Sequence, residues 1–463
     1  MIARIGRVLR EHVGLVVLVA VGAVLRVLVM VAYPQVFWYT DSVVYEGHSH
    51  GWQPDYIRQS GYSLFLKAFR QLGSPYLVSG FQHLLGLGLA IAIYAFLRRR
   101  RLPKWLSLLA VAPLLLDGFQ LTLEHYVLAE TLFTTLIVAG LLALLWAPRP
   151  GVVATGAAGV LLAASVCVRV VSLPLVLLTV GYLIVRRVGW RPTVAFVAGA
   201  ALPLVGYLLW FHHFYQQYGF TAWQGTFLYG RVAPFADCER LRLTPDERAI
   251  CPAQPVGERP LRSDWYIWSA ETPGSHASED TKLGFAKAVF TQQPVTMAGV
   301  IAKETAKYLV PSTVEPDWVC AREGLLIPAD PPMGPDYAWC QPNPRQRFTI
   351  TVNPATMPAS SPLTHALGGY AHLVQAPRLL LGGSVVLALL ACVIRPRRRV
   401  DGGAASEVFL LGGWGLGLLV LGITGSIFDE RYGLPSLAIL PAAGALALCR
   451  LYLLRRASPP TKV

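Results

Sequence analysis

Apolar runs long enough to leave water govern what this chain can become. A spanning helix takes roughly 20 apolar residues. The sequence offers runs at 13–33, 76–97, 103–117, 126–146, 151–168, 171–187, 192–211, 376–394, 406–426 and 434–454. Those at 103–117, 151–168 and 171–187 are short, and the Arg169–Pro174 break also fits a kink in a re-entrant pair. Charged residues make up only 14% of the 463, and the mean hydropathy is +0.48; a soluble domain carries about 25% charged residues. The predicted fold class is an all-α polytopic membrane protein with about ten transmembrane helices. Arg4, Arg7 and Arg10 ahead of the first run imitate a signal peptide. Arg26 interrupts that run and no small-residue cleavage site follows, so the reading is an uncleaved helix.

A net charge of +14 would suit nucleic acid, but its placement does not. The positives gather at alternate ends of the runs: Arg98–Arg101 with Lys104, then Arg149, Arg186, Arg187, Arg191, Arg395, Arg397–Arg399, Arg455 and Arg456. Lys and Arg mark the cytoplasmic side. Both termini are therefore expected in the cytoplasm, in the plasma membrane of a bacterium, and no nucleic acid is expected as partner. Asparagine scarcity and the excess of Arg over Lys fit a GC-rich bacterial genome.

Three regions follow: 1–212, an N-terminal membrane module with a first outer loop; 213–375, an extracytoplasmic loop domain; and 376–463, the C-terminal membrane helices. The middle region is rich in Pro, Trp and charge and holds four of the seven cysteines, Cys238, Cys251, Cys320 and Cys340. An even count in an outer loop reads as two disulfides; three connectivities are possible, with the two local pairs favoured. The segments 281–291 and 295–308 read as helices lying on the membrane surface.

The polar residues that stand out lie on the outer side. Asp41 follows the first run, in Trp-Tyr-Thr-Asp-Ser-Val-Val-Tyr. A carboxylate at the membrane edge is partly desolvated, which raises its basicity and suits a general base; a helix cap or a solvated loop charge is the plainer reading. Glu130 lies about a turn into the fourth run, where a carboxylate normally faces the bundle interior or a water-filled cavity. Asp117, Glu124 and His125 precede it and have the donor types for a divalent cation. Asp429-Glu430-Arg431-Tyr432 forms a tight outer turn in which Arg431 can grip a lipid phosphate. Arg58 and Lys67 follow Asp41 and can meet an anionic headgroup. Arg26 either snorkels to the interface or pairs with a carboxylate. His48 and His50 have ligand-like spacing but are more often solvated. No Walker loop, dinucleotide fingerprint or His-Glu-x-x-His is present, which disfavours nucleotide and metalloprotease chemistry.

Taken together the sequence resembles the GT-C glycosyltransferases that use polyprenyl-phosphate sugars, the group with protein mannosyltransferases and aminoarabinose transferases. The resemblance rests on Asp41-Ser-Val-Val-Tyr after the first run, Gly61-Tyr62-Ser63-Leu64-Phe65-Leu66 as a helix start, and Glu130-Thr-Leu-Phe. Tyr218-Gly219 to Gly230 after the seventh run, and Arg431-Tyr432 with Pro435 before the last, complete it. It covers most of the chain loosely, and order and topology carry more than any one motif. Ser63 stands where the family often has Pro, and the outer loop bears cysteines. The resemblance implies a GT-C-like bundle with a mixed, disulfide-containing outer domain, and a membrane transferase that moves a sugar with inversion to an extracytoplasmic hydroxyl. It implies Asp41 as base, Asp117, Glu124 and Glu130 in the acceptor or metal region, and Arg431, Tyr432, Lys67 and Arg58 at the lipid phosphate. The partners implied are a polyprenyl-phosphate-linked sugar, a glycan, lipid or protein acceptor, and membrane lipids. No cofactor is required, with a divalent cation as an option. The alternatives are a transporter or flippase for a lipid-linked glycan, and a non-catalytic subunit of an envelope assembly. A transporter would carry polar residues at mid-membrane depth and repeat symmetry; the sequence shows no internal repeat.

Overall fold

The computed structural model describes residues 10–72, 77–311, 325–328, 360–394 and 404–457. Cys320 and Cys340 lie outside the described residues. The described elements are helical, apart from one bridge between Phe37 and Tyr126. In chain order the helices are α1 Val13–Ala32, α2 Thr40–Ser49, α3 Gly61–Gln71, α4 Leu77–Arg99, α5 Lys104–Leu116, α6 Gly118–His125, α7 Glu130–Leu145, α8 Val152–Val168, α9 Leu173–Val185 and α10 Trp190–Tyr215. After these come α11 Gln224–Val232, α12 Pro245–Ala249, α13 Ser263–Trp268, α14 Glu279–Gln292, α15 Pro294–Leu309, α16 Pro362–Leu373, α17 Arg378–Val393, α18 Ala404–Gly425 and α19 Leu434–Ala457.

Each of the ten apolar runs is helical, but ten spans is a different matter. Among the described residues six segments are long and apolar enough to cross a bilayer: Val13–Ala32, Leu77–Arg99, Trp190–Tyr215, Pro362–Val393, Ala404–Gly425 and Glu430–Arg455. A seventh is possible if α5 and α6 count together across their 48° bend. The segments Glu130–Leu145, Val152–Val168 and Val170–Val185 are shorter. At 1.5 Å per residue, 16 residues reach about 24 Å, less than a hydrocarbon core of about 30 Å.

One apolar core joins residues from α1 to α10 with residues from α16 to α19. Small residues bring α8 and α10 together: a Cβ on Gly199 would run into the backbone carbonyl of Gly156, the close approach that membrane helix pairs obtain from glycine. Across the bundle Trp414 donates from Nε1 to Thr179 Oγ1 at 2.9 Å. At one end, Arg100 pairs with Glu407 at 2.7 Å and Lys104 donates to the Glu11 carbonyl at 2.6 Å.

At the opposite end sits a separate cluster of Tyr229, Val232, Phe285, Val289 and Met297, built from α11, α14 and α15. Cys238 and Cys251 are disulfide-bonded beside it, and Thr244 and Glu247 form a capping box that starts α12. The predicted helix at 281–291 is present, but α14 turns Phe285, Ala286 and Val289 into this cluster rather than onto a membrane surface. Helix α15 packs on the outer ends of α17 and α18, and Tyr308 at its end donates to the Asp429 carbonyl at 2.7 Å.

Candidate active site

Asp41 belongs to a helix and not to an open loop. Tyr39 caps α2, its backbone N–H donating to Ser42 Oγ at 2.9 Å, and Asp41 falls in the first turn. No apolar periodicity in residues 40–49 marks a helix. Behind it, Tyr45 packs edge-on to Tyr62 at 5.1 Å, and Tyr62 donates to Gln82 at 2.9 Å. A Cβ on Gly61 would lie 2.6 Å from the Cys167 carbonyl, so the glycine lets α3 start directly against the end of α8.

Two arginines hold Asp41. Oδ1 accepts from Arg58 Nε at 3.0 Å and lies 2.8 Å from its Nη2. Oδ2 accepts from Arg431 Nη1 at 2.9 Å. Arg431 also donates from Nε to Asp429 Oδ2 at 2.8 Å, and its backbone N–H donates to Asp429 Oδ1 at 3.0 Å. Its Nη1 is 3.7 Å from Glu130 Oε1, which pairs with Arg169 as well. Glu130 is the first residue of α7 and not a turn inside it, and its Oε2 is buried without a hydrogen-bond partner. The Tyr432 ring lies between Arg169, 4.8 Å from its centroid, and Arg431 at 5.1 Å.

Three carboxylates, Asp41, Glu130 and Asp429, thus meet three guanidinium groups, Arg58, Arg169 and Arg431, drawn from four distant parts of the chain. This corrects the expectation of a base made stronger by its surroundings. Burial pushes the Asp41 carboxyl up, but Arg431 and then Arg58 outweigh it and hold it at about 2. Burial lowers the Arg58 guanidinium while Asp41 more than offsets that, so its pKa rises.

Other candidates stand elsewhere. Glu124 takes Arg26 through both oxygens, at 2.8 and 2.9 Å, and His83 at 2.9 Å, all buried. Arg26 therefore pairs inside the bundle instead of snorkelling. Asp117 caps α6, accepting from the backbone N–H of Gln120 at 2.8 Å and of Ala376 at 2.5 Å. Lys67 lies over the Trp52 ring at 4.5 Å and donates to the Gly51 carbonyl, away from Asp41. His50 bonds Glu46 at 2.7 Å and His48 is 3.7 Å from Asp55. No three His, Cys, Asp or Glu side chains among the described residues come together as an ion would need. The acids of the Asp41 cluster face arginines, so this donor set does not suit a divalent cation, and no step below passes through one. Arg169, Asp429 and Trp268 complete the site beyond the predicted set. Asp429 was signalled by its place in the outer turn; nothing in the sequence pointed to Trp268, whose ring Arg58 covers at 5.3 Å.

The turn Glu430–Gly433 has a second side. There Arg378 pairs with Glu430 at 2.7 Å, beside a cavity of about 310 Å³. Lys307, Arg378 and Glu430 line it together with Leu381, Leu434 and Leu437.

No protein-family model matches the chain, and no curated protein sequence matches it. Solved structures that the chain is similar to include two membrane transferases. One is the S. cerevisiae protein O-mannosyltransferase Pmt1-Pmt2 complex bound to the sugar donor, with 16% identity over 54% of this chain and a TM-score of 0.37. The other is the archaeal oligosaccharyltransferase AglB from Archaeoglobus fulgidus with an inhibitory peptide and a dolichol-phosphate, with 12% identity over 98% of this chain and a TM-score of 0.44. The chain spans 37% and 53% of the lengths of those two solved chains. At these scores nothing about the fold or the site follows from the likeness.

Proposed function

We propose that the protein is a membrane-embedded, inverting glycosyltransferase of the GT-C kind. Its donor is a polyprenyl-phosphate-linked sugar and its acceptor an extracytoplasmic hydroxyl on a glycan, lipid or protein. The observation that carries this reading is Asp41 at one end of the bundle, held by Arg58 and Arg431 next to the Glu130–Arg169 pair. The acceptor oxygen attacks the anomeric carbon and forms the new C–O bond. The bond from that carbon to the phosphate oxygen breaks, its electron pair leaves with the lipid phosphate, and the hydroxyl proton passes to Asp41. Arg431 and Arg58 supply planar, permanently charged donors for the phosphate, whose negative charge grows as the bond breaks. The cavity beside Glu430, polar at Lys307 and Arg378 and apolar along α17 and α19, suits the first part of the lipid behind the phosphate. A lipid phosphate leaves readily at neutral pH, so one base suffices and no nucleotide site is needed.

The test uses the protein in lipid nanodiscs with radiolabelled polyprenyl-phosphate mannose or arabinose and a cell-envelope extract. Wild type transfers label, and Asp41→Asn loses about 10²–10⁴-fold in turnover while still binding the donor. Equal transfer by both proteins would remove Asp41 as the base, and no transfer by wild type from either donor would overturn the donor class tested.

A further inference from the structure

Both oxygens of Asp41 face a cation: Oδ1 takes Nε and Nη2 of Arg58, and Oδ2 takes Nη1 of Arg431. Two close cations make the carboxylate a weak proton acceptor, and moving one of them away strengthens it as a base. The two are anchored unequally. Arg431 is fixed to Asp429 through Nε and through its backbone, lies on the faces of Tyr39 and Tyr432, and is 8% exposed. Arg58 comes from the irregular stretch between α2 and α3 and is 19% exposed. Apart from Asp41 it touches the Trp268 ring, an apolar face on which a guanidinium can turn without losing contact. Asp55, three residues earlier, also bears on the Arg58 charge. Its Oδ2 is buried with no hydrogen-bond partner, a further acceptor within the same short segment.

We propose that Arg58 is a substrate-operated latch on Asp41: it holds Oδ1 while the site is empty and leaves it for the phosphate of a bound lipid phosphate. The proposal rests on the donor and base assigned above. Around Asp41 stand Arg58 from the first outer segment, Arg431 and Asp429 from the turn before α19, Glu130 from α7, Arg169 from the turn before α9, and the phenols of Tyr39 and Tyr45. Arg431 is tied to Asp429 as well as to Asp41, and Arg169 pairs with Glu130. Among the described residues, Arg58 has Asp41 as its ion-pair partner and no second acid. A phosphodiester offers it the same bidentate geometry and one negative charge, so the exchange keeps a charged partner on Arg58 and leaves Asp41 with Arg431. Asp41 is then a stronger base when the donor is in place than when the site is empty.

Infrared difference spectroscopy on the full chain in nanodiscs tests this. The carboxyl band of Asp41 is identified by its loss in Asp41→Asn and titrated with and without undecaprenyl phosphate, whose binding is followed separately with labelled lipid. The lipid is expected to raise the pH at which Asp41 protonates by about one unit or more, the effect of removing one close cation. In Arg58→Gln the midpoint starts high and the lipid moves it no further. An Asp41 midpoint that bound lipid leaves unchanged in the wild type would overturn the latch, and that comparison needs no variant. Failure of the lipid to bind would overturn the donor assignment itself, and transfer by Asp41→Asn would overturn the base.

Discussion

Two guanidinium groups on one carboxylate set how Asp41 titrates and what it contributes to stability. Its folded-state value of about 2 lies below the ordinary 3.8. A lowered carboxylate stabilises the folded state fully above its unfolded value and loses that contribution as pH falls through its folded one. For Asp41 the loss runs from about pH 4 down to about pH 2 and amounts to about 2 kcal/mol. The wild type is expected to be more heat-stable than Asp41→Asn at pH 7, and the gap should close as thermal unfolding is followed down to pH 3 and below. A gap that stays constant with pH would mean that the arginines do not perturb Asp41. The side chain was legible in the sequence as a candidate base; its low basicity was not, because Arg431 reaches it across 390 positions and no local pattern encodes that contact.

Elements place the site through close backbone contacts. Helix α3 can begin at Gly61 only because nothing occupies the space in front of the Cys167 carbonyl, and the segment carrying Arg58 ends there. Gly61→Ala is expected to push α3 off the end of α8, shift Arg58 relative to Asp41 and cut turnover about 10–100-fold, the scale of an ångström of misplacement. Overpacking costs about 1–3 kcal/mol, so the variant should still fold and insert. Turnover assays beside thermal unfolding check both, and an unchanged turnover would show that the α3–α8 contact does not position the site. Hydropathy located helices such as Val13–Ala32 and Ala404–Gly425 to within a few residues because a long apolar stretch is its own signal. It missed α2, a ten-residue polar helix, and the bend at Asp117, where α6 turns Glu124 to Arg26. Those depend on partners that the sequence does not place side by side.

At the scale of the molecule, charge divides the bundle by ends. Arg99, Arg100, Lys104 and Arg450 fasten helix ends at one of them, donating to Trp146, Glu407, Glu11 and Ile394. The Asp41 cluster, the Cys238–Cys251 disulfide and the α11–α15 unit occupy the other. Positive residues near span ends stay in the cytoplasm, and disulfides persist outside it, so two independent rules support the proposal that the Asp41 end faces outward. The proposed chemistry requires that orientation, since an outer site meets lipid-linked donors and envelope acceptors and has no nucleotide sugars. Single cysteines at two exposed positions can report it: His276→Cys beyond α13, at the disulfide end, and Pro148→Cys between α7 and α8, at the arginine end. With an impermeant maleimide, and scored above the labelling of the parent chain, His276→Cys should react in intact cells and Pro148→Cys only after permeabilisation. The reverse pattern would turn Asp41 to the cytoplasm. An extracytoplasmic acceptor would then be untenable even if Asp41 were still the base, because the carboxylate and its acceptor would lie on opposite sides of the bilayer.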